Sequence, residues 1–147
     1  MNAPESTERE SAVRLVDSSA WIEFFRPGRR LTLDDLAADG GDIVTCLPVI
    51  QEVLQGINDE RAFAGIRAAM FAWSCVDSPL DEQVVDRAVE LYRQCRRSAV
   101  TVRSTVDCLI AASALRHGLT VVHCDRDFDA IARVTGLRHH DLSSRLR

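Results

Sequence analysis

No hairpin turn signal joins any two of the strand-like runs in this chain, and nearly every run leads into a stretch with helical periodicity. Neighbouring antiparallel strands can be joined by a two-residue turn, whereas parallel neighbours need a long crossover, usually a helix. The pattern therefore predicts an α/β fold. Its centre would be a short parallel sheet of about four to five strands with helices on both faces.

The clearest strand is Leu119-Thr120-Val121-Val122-His123-Cys124. A shorter one, Leu15-Val16, stops at Asp17, and Ser18 or Ser19 is placed to cap the amphipathic helix that follows, which Arg26-Pro27-Gly28 ends. Asp42 to Thr45 reads as another strand, followed by a helix with Pro48 in its first turn. Asp59 to Trp73 is helical, Ser74 to Asp77 a weak strand, and Asp81 opens a helix reaching Cys95. Arg96 to Arg103 reads as a basic loop. Ser104 opens the helix Thr105–His117, stopped by Gly118. A last helix runs through Phe128 and Ile131 to a Gly136 cap, and Leu137 to Leu142 suits an edge strand. Residues 1–13 are polar and acidic and read as a disordered extension, leaving 14–147 as one domain.

Composition narrows the function by exclusion. All basic residues are arginine, so a P-loop lysine, a Schiff-base lysine and the lysine of response-regulator receivers are ruled out. The net charge of −4 gives no bulk attraction to nucleic acid, so any such binding must use local clusters. Candidates are Arg26/Arg29/Arg30, Arg93/Arg96/Arg97/Arg103 and Arg138/Arg145/Arg147, each of which also reads as an ordinary solvated face. Five cysteines without a C-x-x-C pair, and no signal-peptide pattern, suit a reduced cytoplasm. No apolar run approaches the ~20 residues of a membrane span.

Three acids occupy telling positions. Asp17 and Asp125 each follow a strand, where open α/β sheets gather their ligand chemistry. Asp107 is the only charge in Thr105 to Leu115, a helix apolar enough to be buried on most sides, so an ionised carboxylate there needs a partner or a metal. Plain structural roles compete. Ser104-x-x-Asp107 fits a capping box, and Asp125 suits the N-cap of the last helix. Asp127 is either a further ligand or a first-turn acid. Glu52 falls on the polar side of its helix and reads as a surface glutamate. Carboxylates gathered in one crevice repel one another, and a bound cation relieves this; oxygen ligands suit Mg²⁺ or Mn²⁺.

Four segments together resemble the PIN-domain nucleases, and within them the VapC toxins of bacterial toxin–antitoxin pairs. They are Leu15-Val16-Asp17-Ser18-Ser19-Ala20-Trp21-Ile22-Glu23, Pro48-Val49-Ile50-Gln51-Glu52-Val53-Leu54-Gln55-Gly56, Val106-Asp107-Cys108-Leu109-Ile110-Ala111-Ala112 and Cys124-Asp125-Arg126-Asp127-Phe128. The resemblance runs from about Arg14 to Leu142. It implies a metal-dependent endoribonuclease in which Asp17, Glu52, Asp107 and Asp125 form the acidic quartet. Asp127 is then a supplementary ligand, and Ser19 hydrogen-bonds the acids. The implied partners are an RNA substrate and a small antitoxin that lies across the acidic cleft. A homodimer is also implied, and the apolar helices around Trp21–Phe25, Phe63–Trp73 and Val84–Tyr92 agree with it.

Two other readings remain open. A phosphatase of the haloacid dehalogenase type needs Asp-x-Asp after its first strand and a later lysine, whereas this chain has Asp17-Ser18-Ser19 and no lysine. The other is a non-catalytic binding module whose acids are caps and surface charges.

Overall fold

The computed structural model describes residues 12–147. Residues 1–11 of the expected extension lie outside the described residues. Within the described residues, Val13 already pairs with Asp42.

Five strands form one parallel sheet: β1 (Val13–Val16), β2 (Asp42–Cys46), β3 (Cys75–Val76), β4 (Thr120–His123) and β5 (Arg138–Asp141). Their order is β3-β2-β1-β4-β5. Leu15 is paired with Val44 on one side and Val121 on the other, so β1 is central and its Leu15 and Val16 are fully buried. β4 is buried along its whole length, as a parallel strand covered on both faces must be.

Between the strands lie α1 (Ser18–Phe25), α2 (Leu33–Leu36), α3 (Leu47–Gln55), α4 (Glu60–Ala72), α5 (Glu82–Arg97), α6 (Thr105–His117) and α7 (Arg126–Val134). A 3-10 turn, Ser143–Leu146, follows β5. From β1 the chain steps outward through β2 to β3, then returns across the sheet to β4 and continues to β5. With right-handed crossovers, the first group of helices covers one face and α5–α7 the other. The step direction reverses between β1 and β4. That reversal opens a crevice at the carboxyl ends of these two strands, where open α/β sheets hold their ligands.

Local chemistry sets the boundaries, and it corrects several expectations. Asp17, rather than Ser18 or Ser19, caps α1 by accepting the Ser19 amide. The short α2 has no counterpart in the sequence reading; a capping box between Thr32 and Asp35 holds it. α5 continues to Arg97, so the basic loop is shorter than expected. The capping box expected between Ser104 and Asp107 does not form: the Ser104 side chain makes no cap bond. α7 stops at Thr135, whose hydroxyl donates to the Ile131 carbonyl, and Gly136 is not its cap. Gly118 does end α6, at φ +66. Gly41 is required by contact: a Cβ there would lie 2.3 Å from the Ala12 carbonyl oxygen as the chain enters β2.

Candidate metal centre

Each main acid reaches the crevice for its own structural reason. Asp17 directly follows β1, and its amide donates to the Val122 carbonyl at 2.8 Å, which ties the end of β1 to β4. One carboxylate oxygen, Oδ2, accepts the Ser19 amide at 3.0 Å and the Ser19 hydroxyl at 2.6 Å. Ser19 Oγ in turn accepts the Cys124 amide at 2.9 Å. One hydroxyl therefore bridges the ends of β1 and β4 and orients Asp17.

Asp125 follows β4 and caps α7, its Oδ1 accepting the Asp127 amide at 2.9 Å. Asp107 comes from the first turn of α6, a crossover helix that begins at the carboxyl end of the sheet. Asp17, Asp107 and Asp125 each place a carboxylate oxygen so that all three lie within 4.8 Å of one another. Asp17 and Asp107 are 1% and 3% exposed.

Their electrostatics are those of crowded, buried carboxyl groups that hold on to their protons. Burial raises the Asp17 carboxyl to about 6 against the lowering effect of the Ser19 bonds, and Glu52 adds like-charge repulsion. Burial, the charges of Asp17 and Asp125, and a hydrogen bond shared with Asp125 push Asp107 up to about 9. Asp17 Oδ1 and Asp107 Oδ2 are buried without a hydrogen-bond partner. Buried carboxylate oxygens in that condition are costly. A hard divalent cation with oxygen ligands fits this donor set and neutralises it.

Glu52 and Asp127 stand apart from the triad. Glu52, half-buried on α3, accepts the Ser18 hydroxyl at 3.0 Å. It faces the site across the start of α1, not open solvent as helical periodicity alone suggests. Asp127 is 7% exposed, and its Oδ2 accepts the amides of Arg103 and Ser104 at 3.0 and 3.1 Å. It clamps the loop before α6 to the start of α7.

A model of the PIN domain matches residues 14–134. This chain belongs to the PIN-domain family. Within that family it groups with the VapC ribonucleases. It is 37% identical over 129 residues to Ribonuclease VapC11 of Mycobacterium tuberculosis, covering 84% of this chain and 95% of that one. Ribonuclease VapC51 of the same organism is 32% identical over 122 residues, covering 83% and 87%. Among solved structures, VapBC-1 from nontypeable Haemophilus influenzae superposes with a TM-score of 0.68 at 14% identity, covering 89% of this chain and 98% of that one. VapBC-5 from Mycobacterium tuberculosis gives 0.59 at 20% identity, covering 89% and 99%. At such identities the likeness shows a shared PIN fold.

Two features of this end of the PIN domain escaped the sequence reading. His123, His139 and Asp129 form a second compact group of possible ligand atoms. Arg126 and Arg133, absent from the arginine clusters expected above, line a cleft with Arg103 and Asp125. A strand period of two puts His123 on the face of β4 shared by Val121, but only the β4–β5 register brings His139 to it.

Proposed function

We propose that this PIN-domain protein is a metal-dependent endoribonuclease and the toxin of a toxin–antitoxin pair. The observation carrying this reading is the convergence of Asp17, Asp107 and Asp125 at the β1–β4 crevice, with two buried oxygens unpartnered, in a chain of the VapC ribonuclease family.

Asp17, Asp107 and Asp125 would hold a Mg²⁺ or Mn²⁺ ion. A bound divalent ion supplies charge to the phosphate undergoing attack and acidifies water at neutral pH. The residues do the rest. Ser19 locks the Asp17 carboxylate through its 2.6 Å bond, so the ligand is oriented before substrate arrives. Glu52, held by the Ser18 hydroxyl, would take a proton from the attacking water or add a ligand oxygen. Asp127 supports the site through the Arg103–Ser104 backbone and would be a supplementary ligand. Water attacks the phosphorus in line, and the leaving oxygen departs on the opposite side.

The partners follow from the same reading: an RNA strand, and a small antitoxin that blocks the acidic cleft. A second copy of the chain is a further partner. Val85, Val89 and Tyr92 are 43%, 53% and 40% exposed on α5, while Val84, Ala88, Leu91 and Cys95 of the same helix are buried. That leaves an apolar strip beyond what the core uses, and supports pairing of copies. No helix among the described residues is long and apolar enough to cross a membrane; a toxin that cuts cellular RNA would act in the cytoplasm.

Incubation of the purified protein with total cellular RNA, with Mn²⁺ or with EDTA, tests the reading. Discrete fragments that require Mn²⁺ and vanish in Asp107→Asn are expected. Intact RNA under all conditions, from protein shown to be folded, would count decisively against it.

A further inference from the structure

Beside the acidic triad lies an open cleft of about 560 Å³, lined by Thr101, Arg103, Asp125, Arg126, Ala130 and Arg133 among others. Its cationic wall comes from two places. Arg103 lies on the loop before α6, whose backbone is fastened to α7 by the two amide bonds to Asp127. Arg126, Ala130 and Arg133 lie on α7 at spacings of four and three, so they form one stripe along a single face. Small, buried Ala130 leaves the floor between the two arginines low.

Elsewhere arginines of this chain settle on carboxylates: Arg26 on Glu23, Arg87 on Glu90, Arg116 on Asp77 and Asp81, and Arg145 on Asp35. Arg103, Arg126 and Arg133 are exposed and enter no ion pair among the described residues. The nearby acids are otherwise engaged. Asp127 Oδ2 is held by backbone amides, Asp125 Oδ1 by the Asp127 amide, and Asp129 faces the His139 ring at 3.4 Å. Three guanidiniums are thus directed at a cleft that opens onto Asp125. In a chain of net charge −4 they form a local anion site that the overall charge does not provide.

Arg126 and Arg133 are separated by about 10 Å along the helix axis, far enough apart to meet different phosphates of one strand. We propose that this cleft holds consecutive backbone phosphates of the RNA strand on one side of the scissile bond, with Arg103, Arg126 and Arg133 as positioning residues. The proposal rests on the ribonuclease reading above. Phosphate contacts of this kind set register and affinity and carry no sequence information.

The test is fluorescence anisotropy with a labelled, 2′-O-methylated single-stranded RNA in EDTA, across about 50 to 200 mM salt. Wild type is compared with Arg103→Gln/Arg126→Gln/Arg133→Gln and with Arg61→Gln, a charge-loss control on α4 outside the cleft. The triple variant should bind at least about tenfold more weakly, and its log–log salt slope should fall by roughly 2, near 0.7 per lost phosphate contact. Arg61→Gln should match wild type. Cleavage by the triple variant should show a raised KM with kcat nearly unchanged, as loss of uniform binding does. Unchanged affinity and slope in the triple variant, or no salt-dependent binding by wild type, overturns the proposal. Parallel cleavage assays with Mn²⁺ separate the two failures. Arginine-dependent binding without cutting sinks the nuclease reading and leaves the cleft; cutting with arginine-independent binding sinks the cleft alone.

Discussion

Two groups of metal-type side chains lie around the carboxyl end of β4, and they are built on opposite principles. Asp17, Asp107 and Asp125 form one; His123, Asp129 and His139 form the other, and in each the ligand atoms lie within 4.8 Å of one another. The histidine group is internally satisfied. The Asp125 amide donates to His123 Nδ1 at 3.1 Å, so in the neutral ring the proton sits on Nε2, 3.0 Å from His139 Nδ1. Each inner nitrogen has a partner, and a cation on His123 Nε2 would have to displace that proton while Nδ1 remains an acceptor. The carboxylate group is the reverse: oxygen-only, mutually repelling and left with buried unpartnered atoms. Close approach of ligand atoms therefore does not by itself make a cation site. Buried carboxylate oxygens left without partners favour one.

The sharpest way to break this contrast is to disable one member of each group. Asp125→Asn should lower RNA cleavage by on the order of a hundredfold or more, the scale of about 2.7 kcal/mol of transition-state stabilisation. His139→Gln should leave cleavage close to wild type. Initial rates on one RNA substrate check both, and a His139 variant as damaged as the Asp125 one would erase the distinction.

The ligand itself gives the next effect. Mn²⁺ at a hundred times its dissociation constant should stabilise the wild-type fold by about 2.7 kcal/mol. Asp107→Asn should lose most of that response and be at least as stable as wild type in EDTA at neutral pH, since it removes a carboxyl that must take up a proton to be buried without metal. His139→Gln should keep it. Thermal melts with and without Mn²⁺ measure all three proteins.

Proton linkage sharpens the comparison further. In the unfolded chain an Asp releases its proton near 3.8, whereas the folded, metal-free protein holds the Asp17 proton to about 6 and the Asp107 proton to about 9. Between these limits the folded state binds more protons than the unfolded one. The contribution of both groups to stability is thus largest at low pH and is lost as pH rises, through about 6 for Asp17 and about 9 for Asp107. Urea unfolding in EDTA from pH 5 to 9 should show a declining component that Asp107→Asn flattens; a wild-type curve unaffected by the substitution would contradict the assigned burial.

A smaller effect than at Asp125 is expected at Asp127. An amide oxygen can still accept from Arg103 and Ser104, so Asp127→Asn should cost cleavage about tenfold, as changes one step removed from a metal do. Rates across a Mn²⁺ titration check this. A loss exceeding that of Asp125→Asn at saturating metal would reverse the two roles.

How these parts were determined differs with the range of the interaction. The parallel α/β plan and Asp17 and Asp125 at strand ends were legible because they rest on local periodicity and the chemistry of a few consecutive residues. A buried carboxylate in the apolar α6 was legible for the same reason. The choice between cap and cluster for Asp107 was not, because the absent Ser104 cap and the approach of Asp17 and Asp125 depend on how α6 meets two strands. Glu52 was misjudged by helical period alone, since its partner Ser18 lies 34 residues away. Likewise the Ser19 bridge joins residues 105 apart, and the Asp127 clamp spans 24. The histidine pair needed the β4–β5 register. The sequence by itself determined the elements and the residues presented at their ends. Only the tertiary structure decided which of those residues meet, because inter-element register and crossover geometry are set by packing of the whole core.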